Sequence, residues 1–188
     1  MYETSDIRKG LKVKLDDGKP YIVTEFQHVK PGKGRAFTRT KLKNLMSGSV
    51  LERTFFTGDK LEPAELEEQN MQFLYPEGDK FVFMNTSTYE QVTLDNEHVA
   101  DAAAFLLDNM EVTILFYEGA PISLTLPTFV EIQITHCEPG MKGDTASGAT
   151  KPATLSTGHT LNVPLFVEEG EWLKVDTRSG EYVERVKR

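Results

Sequence analysis

Lys33 lies between two glycines in the run His28-Val29-Lys30-Pro31-Gly32-Lys33-Gly34-Arg35-Ala36-Phe37. Pro31 fixes its own φ and biases Lys30 towards an extended backbone. Gly32 and Gly34 have no side chains to shield the amine between them. Asn-Gly or Asp-Gly would close a plain hairpin better, so a tip of two glycines around a lysine presents one primary amine to whatever lies beyond it. Counting by two from the loop gives Arg35, Phe37, Arg39, Lys41 and Lys43 on one face of the following strand. Four cations and an aromatic on one strand face suit an RNA backbone. A solvated loop with incidental lysines is the plainer reading of the tip alone; the cationic strand beside it favours binding.

Other chemistry finds little footing. Gly32-Lys33-Gly34 lacks the Gly-x-x-x-x-Gly-Lys-Ser/Thr pattern of a phosphate loop. His28, His98, His136 and His159 are scattered, and adjacent His136 and Cys137 are a poor pair for one metal. Asp144, Thr145 and Ser147 have no histidine base indicated near them, so that stretch reads as a polar loop. No catalytic residue and no metal site are assigned.

The elements that must hold the lysine are strands. Residues 21–29 and 37–45 read as the two arms of its hairpin, with Thr38, Thr40 and Leu42 facing a small core. Leu11, Val13 and Leu15 alternate before an Asp16-Asp17-Gly18 turn, and residues 50–56 follow a Ser47-Gly48-Ser49 turn. Residues 1–63 therefore predict an SH3-like (KOW-type) barrel carrying the lysine loop. Residues 64–127 predict an OB-fold: strands near 71–75, 80–85 and 89–92, a short helix between His98 and Leu107, and a hairpin of 110–117 with 122–126. Residues 128–188 predict a second OB-fold, opened by the alternation of Val130, Ile132 and Ile134 and interrupted by a polar loop over 138–148. The fold class is mainly β, built of three small barrels.

The net charge of −8 conceals an asymmetry. Residues 1–63 carry 13 Lys/Arg against 8 Asp/Glu, a net of +5; residues 64–127 carry Lys80 against 12 acids, a net of −11; residues 128–188 carry 7 against 9. The first segment can approach nucleic acid closely, while the middle one is repelled by phosphate. No apolar run approaches the length of a membrane span. The first residues lack the basic and apolar regions of a signal peptide. The single cysteine, Cys137, fits a reducing compartment. Together these place the chain in the cytoplasm, with no membrane partner.

The stretch from Val29 to Phe37 also resembles the modification loop of the bacterial elongation factor P family. Lys151, Ala153, Gly158, Leu161, Val163, Pro164, Val167 and Gly170 fall at the spacing of that family's C-terminal signature. Pro139-Gly140, residues 142–145 and residues 175–183 are similar to it too. The resemblance implies an elongated, L-shaped arrangement of the three barrels, in a translation factor that binds the 70S ribosome between the peptidyl and exit sites when it stalls, notably at consecutive prolines. It implies that Lys33 is extended covalently, by either a β-lysyl or an aminoalkanol group, and that lysine-modifying enzymes act on it. No cofactor is implied, and the ribosome rather than this chain is the catalyst. Lys30, Pro31, Gly32, Gly34, Arg35, Arg39, Lys41 and Lys43 would then meet ribosomal RNA and the acceptor end and body of peptidyl-tRNA. Gly143, Asp144 and Thr145 would lie near the message in the exit site, with Arg178, Tyr182 and Arg185 as further RNA contacts; the chain would act as a monomer. A swinging-arm carrier, such as a lipoyl or biotinyl domain, also sets a lysine at a hairpin tip. Such a carrier has no need of Arg35, Arg39, Lys41 and Lys43.

Overall fold

A computed structural model of the protein describes residues 1–140 and 149–188. Among these, sixteen strands form three antiparallel sheets. The first contains β1 (Tyr2–Glu3), β2 (Lys12–Lys14), β3 (Pro20–Val29), β4 (Phe37–Asn44), β5 (Val50–Phe56) and β6 (Lys60–Pro63), in the order β1-β6-β2-β3-β4-β5. Alternation drives β4: Thr38, Thr40, Leu42 and Asn44 are buried, while Arg39 and Lys43 are exposed. Ile7, Val13, Tyr21, Val23, Leu42, Phe55 and Leu61 make the core beneath. Asn44 turns the chain out of β4, its side-chain oxygen accepting from the Met46 and Ser47 amides at 2.8 and 3.1 Å. The β3–β4 ladder runs out to the pair Val29–Phe37, with a bulge between Val23 and Glu25. Residues 25–28 are exposed, so the hairpin continues past the part of the barrel that has a core.

The second sheet comprises β7 (Leu66–Glu77), β8 (Lys80–Asn85), β9 (Gln91–Asp95), β10 (Glu111–Tyr117) and β11 (Ala120–Thr125), ordered β11-β10-β7-β8-β9. The strand expected from residue 71 begins five residues earlier. The one expected at 89–92 begins at Gln91, because Tyr89 takes a φ of +62° in the preceding turn. The single helix expected between His98 and Leu107 is two pieces, α1 (Asn96–Val99) and a 3-10 segment over Ala100–Phe105. Asp95 caps α1 by accepting from the His98 amide at 3.0 Å, and Ala100 ends it at φ +46°. The third sheet is β12 (Phe129–Cys137), β13 (Thr150–Leu155), β14 (Thr160–Pro164), β15 (Trp172–Asp176) and β16 (Glu181–Val186), ordered β14-β13-β12-β15-β16. Its core of Val130, Ile132, Ile134, Leu155, Val163, Leu173 and Val175 also takes in Phe105 from the 3-10 segment.

The chain condenses into two compact units, residues 1–68 with 115–123 and residues 69–114 with 124–188. In the first, the tip of the β10–β11 hairpin is fastened in place. Glu118 sits at φ +48°, where Asn or Gly would be the easier turn residue. What Glu118 adds there is a carboxylate 2.9 Å from the Lys14 ammonium, beside a Tyr117 hydroxyl that donates to the Gly18 carbonyl at 2.8 Å. Its hydrogen bond from Lys14 holds Glu118 below the ordinary carboxylate pKa, and the Glu118 partner raises Lys14. Asp17 is lowered by the Lys19 amide and Asp176 by the Arg178 side chain. A lowered folded pKa contributes stability present above the unfolded value and lost as pH falls through the folded one. Urea midpoints are therefore expected to hold from neutral pH down to about pH 5 and then fall through the carboxylate range. The Glu118→Gln variant should show a shallower fall in the first unit, read by hydrogen exchange.

Candidate nucleic-acid interface

Beyond the Val29–Phe37 rung the chain leaves the ladder, and residues 30–35 are all exposed. Gly34 takes φ +106°, a conformation L side chains rarely adopt, and a Cβ there or at Gly32 would meet nothing within 4 Å. Lys33 is therefore held at the end of a hydrogen-bonded hairpin with open space on both sides. The residues on either side of the hairpin base are brought together. The Arg35 guanidinium lies 5.6 Å from the Phe56 ring centre and donates to the Thr57 carbonyl. Phe56 and Phe37 are 6.0 Å apart, and Arg39 lies 5.4 Å from Phe37. Two guanidiniums thus flank two phenylalanines, offering flat apolar faces for bases and charge for phosphates.

The other cations of the strand are placed differently. Lys43 is exposed, between Ile22 and Val50 in the register. Lys41 is half-buried and engaged: its ammonium is 3.0 Å from Glu25, and that hydrogen bond raises its pKa. Lys41 therefore enters the surface already paired with an acid. Lys30 and Pro31 begin the loop, and Lys30 borders a groove of about 490 Å³ with Arg8, Phe26, His28 and Phe37. Sequence reasoning missed Phe26, His28 and Phe56. Phe26 and His28 stand 5.2 Å apart, ring edge to face, above the buried threonines Thr40 and Thr38, and His28 shares a 2.8 Å hydrogen bond with Thr38. The signal was their period of two along β3.

In the third sheet Arg178 is bound to Asp176 through two nitrogens, at 3.3 and 3.0 Å. Tyr182 packs on the core, and Arg185 lies 4.6 Å over Phe166 while pairing with Glu171 at 3.1 Å. Gly143, Asp144 and Thr145 lie outside the described residues. Among the described residues no group of three or more His, Cys, Asp or Glu is gathered as for a metal, and no helix is long and apolar enough to cross a membrane.

Three family models cover this architecture segment by segment. Residues 3–61 match the elongation factor P KOW-like domain, residues 66–124 its OB domain, and residues 130–185 its C-terminal domain. Elongation factor P of Syntrophus aciditrophicus is 54% identical over 187 residues, covering 100% of both chains. That of Natranaerobius thermophilus is 52% identical over 100% of this chain and 99% of its own. That of Streptomyces coelicolor is 51% identical over 99% of each. Among solved structures, eukaryotic translation initiation factor 5A from Methanococcus jannaschii shares the fold with a TM-score of 0.56 at 24% identity, over 66% of this chain and 93% of its own. The KOW-like and OB architecture, the full-length likeness and the lysine-tipped hairpin agree: the chain belongs to the elongation factor P family of translation factors.

Proposed function

We propose that this protein binds stalled 70S ribosomes between the peptidyl and exit tRNA sites. There it speeds peptide-bond formation at consecutive prolines by means of a covalently extended Lys33. The observation that carries this reading is Lys33 itself, exposed between two glycines at the end of a hairpin whose base carries Arg35, Phe56, Phe37 and Arg39. Proline is a constrained donor and a poor nucleophile in this setting, so what the ribosome lacks is geometry. A long cationic arm that holds the acceptor end of peptidyl-tRNA supplies orientation and charge at the reacting carbonyl. The ribosome supplies the chemistry. Modifying enzymes would act on Lys33 before it engages, and a β-lysyl and an aminoalkanol extension are told apart by intact mass of protein from its host. The test is reconstituted translation of two messages that differ only in a Pro-Pro-Pro run. The protein should accelerate the proline message and leave the other unchanged; equal rates with and without it on both messages would refute the proposal.

The RNA surface has its own signature. Removing a cation that neutralises one phosphate should flatten the salt dependence of ribosome affinity by roughly 0.7–0.9 log units per tenfold salt. Arg39→Ala with Lys43→Ala is expected to flatten it by about twice that amount. Lys41→Ala should flatten it least, since Glu25 already meets that charge. A larger effect at Lys41 than at Arg39 would move the interface elsewhere.

A further inference from the structure

The inner face of the β3–β4 hairpin runs on past the core it covers. Leu42 belongs to that core, and Thr40 and Thr38 continue its face, both buried. Opposite them in the register stand Phe26 and His28, so both rings lie on this face, yet neither belongs to the core. Phe26 is 38% exposed. Cross-strand pairing alone would be served by β-branched residues such as the threonines opposite, so the barrel gives no reason for two aromatic rings here. Their planes meet at 67° and form a corner: a flat molecule lying on one ring turns its edge to the other. The His28 ring is held by the 2.8 Å bond between Nδ1 and the buried Thr38 hydroxyl. Its Nε2 meets no protein group among the described residues.

The corner opens into the groove of about 490 Å³ that Lys30 and Arg8 also line, a volume within the range of about 300–1,000 Å³ for small-ligand sites. No carboxylate lines it. Elsewhere in the first sheet and its turns Lys14, Lys41, Arg53 and Lys60 each pair with an acid; among the described residues Arg8 and Lys30 pair with none. Arg8 Nη1 donates to the Ser5 and Ile7 carbonyls at 2.9 and 2.7 Å, which fixes the guanidinium and leaves its other N–H groups for a ligand. Thr57, also in the lining, donates to the Ala36 carbonyl from its amide at 3.0 Å and its hydroxyl at 3.1 Å. The groove is thus preformed, with flat apolar rings, an imidazole nitrogen and unopposed positive charge. We infer that it binds one unstacked nucleotide of an RNA single strand, the base on Phe26 with an edge towards His28 and the phosphate met by Arg8 and Lys30. A base within a duplex is stacked on both faces and cannot enter. Phe37 lines the groove too and joins it to the surface of Arg39 and Phe56. The inference rests on the ribosome-binding reading above, which supplies the RNA.

The test is an NMR titration of the full-length protein with three probes: a single-stranded tetraribonucleotide, a short RNA duplex and a tetraglutamate peptide. The single strand should shift the amides of residues 5–8 and 26–30 and the His28 ring. The duplex and the peptide should leave those signals in place. Phe26→Trp should retain single-strand binding, while Phe26→Leu, which keeps apolar bulk but has no ring face, should weaken it about tenfold. Arg8→Gln with Lys30→Gln should flatten its salt dependence by roughly 1.4 log units per tenfold salt, at roughly 0.7 for each cation on a single strand. These residues lie outside the core, so all the variants should melt within about 3 °C of the parent. On the proline message, limiting Phe26→Leu should give about a tenth of the parent's effect. Groove signals unmoved by the single strand, or moved as far by the duplex or the peptide, overturn the inference, as does undiminished binding by Phe26→Leu. Such a failure beside a parent that still accelerates the proline message leaves the ribosomal reading standing. Single-strand binding in the groove by a parent that accelerates neither message sinks the ribosomal reading instead.

Discussion

Lys33→Ala is expected to keep the fold and lose the acceleration at consecutive prolines. The residue is exposed, lies outside the ladder and supports none of the core residues of its sheet, so thermal unfolding should move by less than about 0.5 kcal/mol, the usual range for surface changes. Ribosome affinity should survive in large part, since Arg35, Arg39 and Lys43 remain. On the function proposed above, the substitution removes the arm, and with it an expected orientation effect on the order of a hundredfold on the proline message. Messages without proline runs should be translated at the parent's rate.

Lys33→Arg separates position from charge. The guanidinium keeps the cation on nearly the same stem but cannot accept the amide or alkyl extension that a primary amine accepts. It should fail nearly as badly as alanine. Unmodified wild-type protein should fall with it, and modified wild type alone should work. The measurement is single-turnover peptide-bond formation on matched messages with all four proteins. Full activity of Lys33→Ala would end the positioning argument, and full activity of Lys33→Arg would reduce it to charge.

The hairpin was legible because it depends on local rules. Gly32 and Gly34 mark the tip, and the period of two through Thr38, Thr40 and Leu42 assigns the inner face of β4, which the structure buries. The fate of Lys41 was not legible from its own strand. Val23 pairs with Leu42, so an unbroken ladder would set Lys41 opposite Thr24; the bulge shifts the register by one and sets it opposite Glu25. No count along β4 reveals an extra residue in β3. Likewise Glu118 reads locally as an ordinary turn residue, and only the Lys14 ammonium explains an acid at positive φ. The segment 98–107 is a third case. Its apolar spacing predicts a buried face but says nothing of which core receives it: the helix ends after one turn at Ala100, φ +46°, and Phe105 then enters the core of the third sheet.

That third case yields the largest expected loss of stability. Phe105 belongs by sequence to the OB segment of residues 66–124, yet its ring is 5% exposed within the core of the third sheet, with Val130, Ile132, Leu155 and Val175. It meets His159 edge-on at 5.2 Å, and the neighbouring Ala104 carbonyl accepts from the Thr157 hydroxyl at 2.5 Å. Phe105→Ala should therefore cost about 3–5 kcal/mol, the range for deleting a buried ring and leaving its cavity, against a total of about 5–15 kcal/mol for a folded protein. The melting temperature should fall by about 10 °C. Phe105→Leu refills most of the space and should cost about 1–1.5 kcal/mol. Phe166→Ala removes a ring that is 58% exposed and should cost less than about 1 kcal/mol, although Arg185 lies 4.6 Å over it. Hydrogen exchange locates the damage: amides of β13 and β15 should lose protection in Phe105→Ala although neither strand is near residue 105 in sequence. Equal losses at Phe105 and Phe166, or protection lost in β8 and β9 alone, would mean that Phe105 serves the sheet of its own segment.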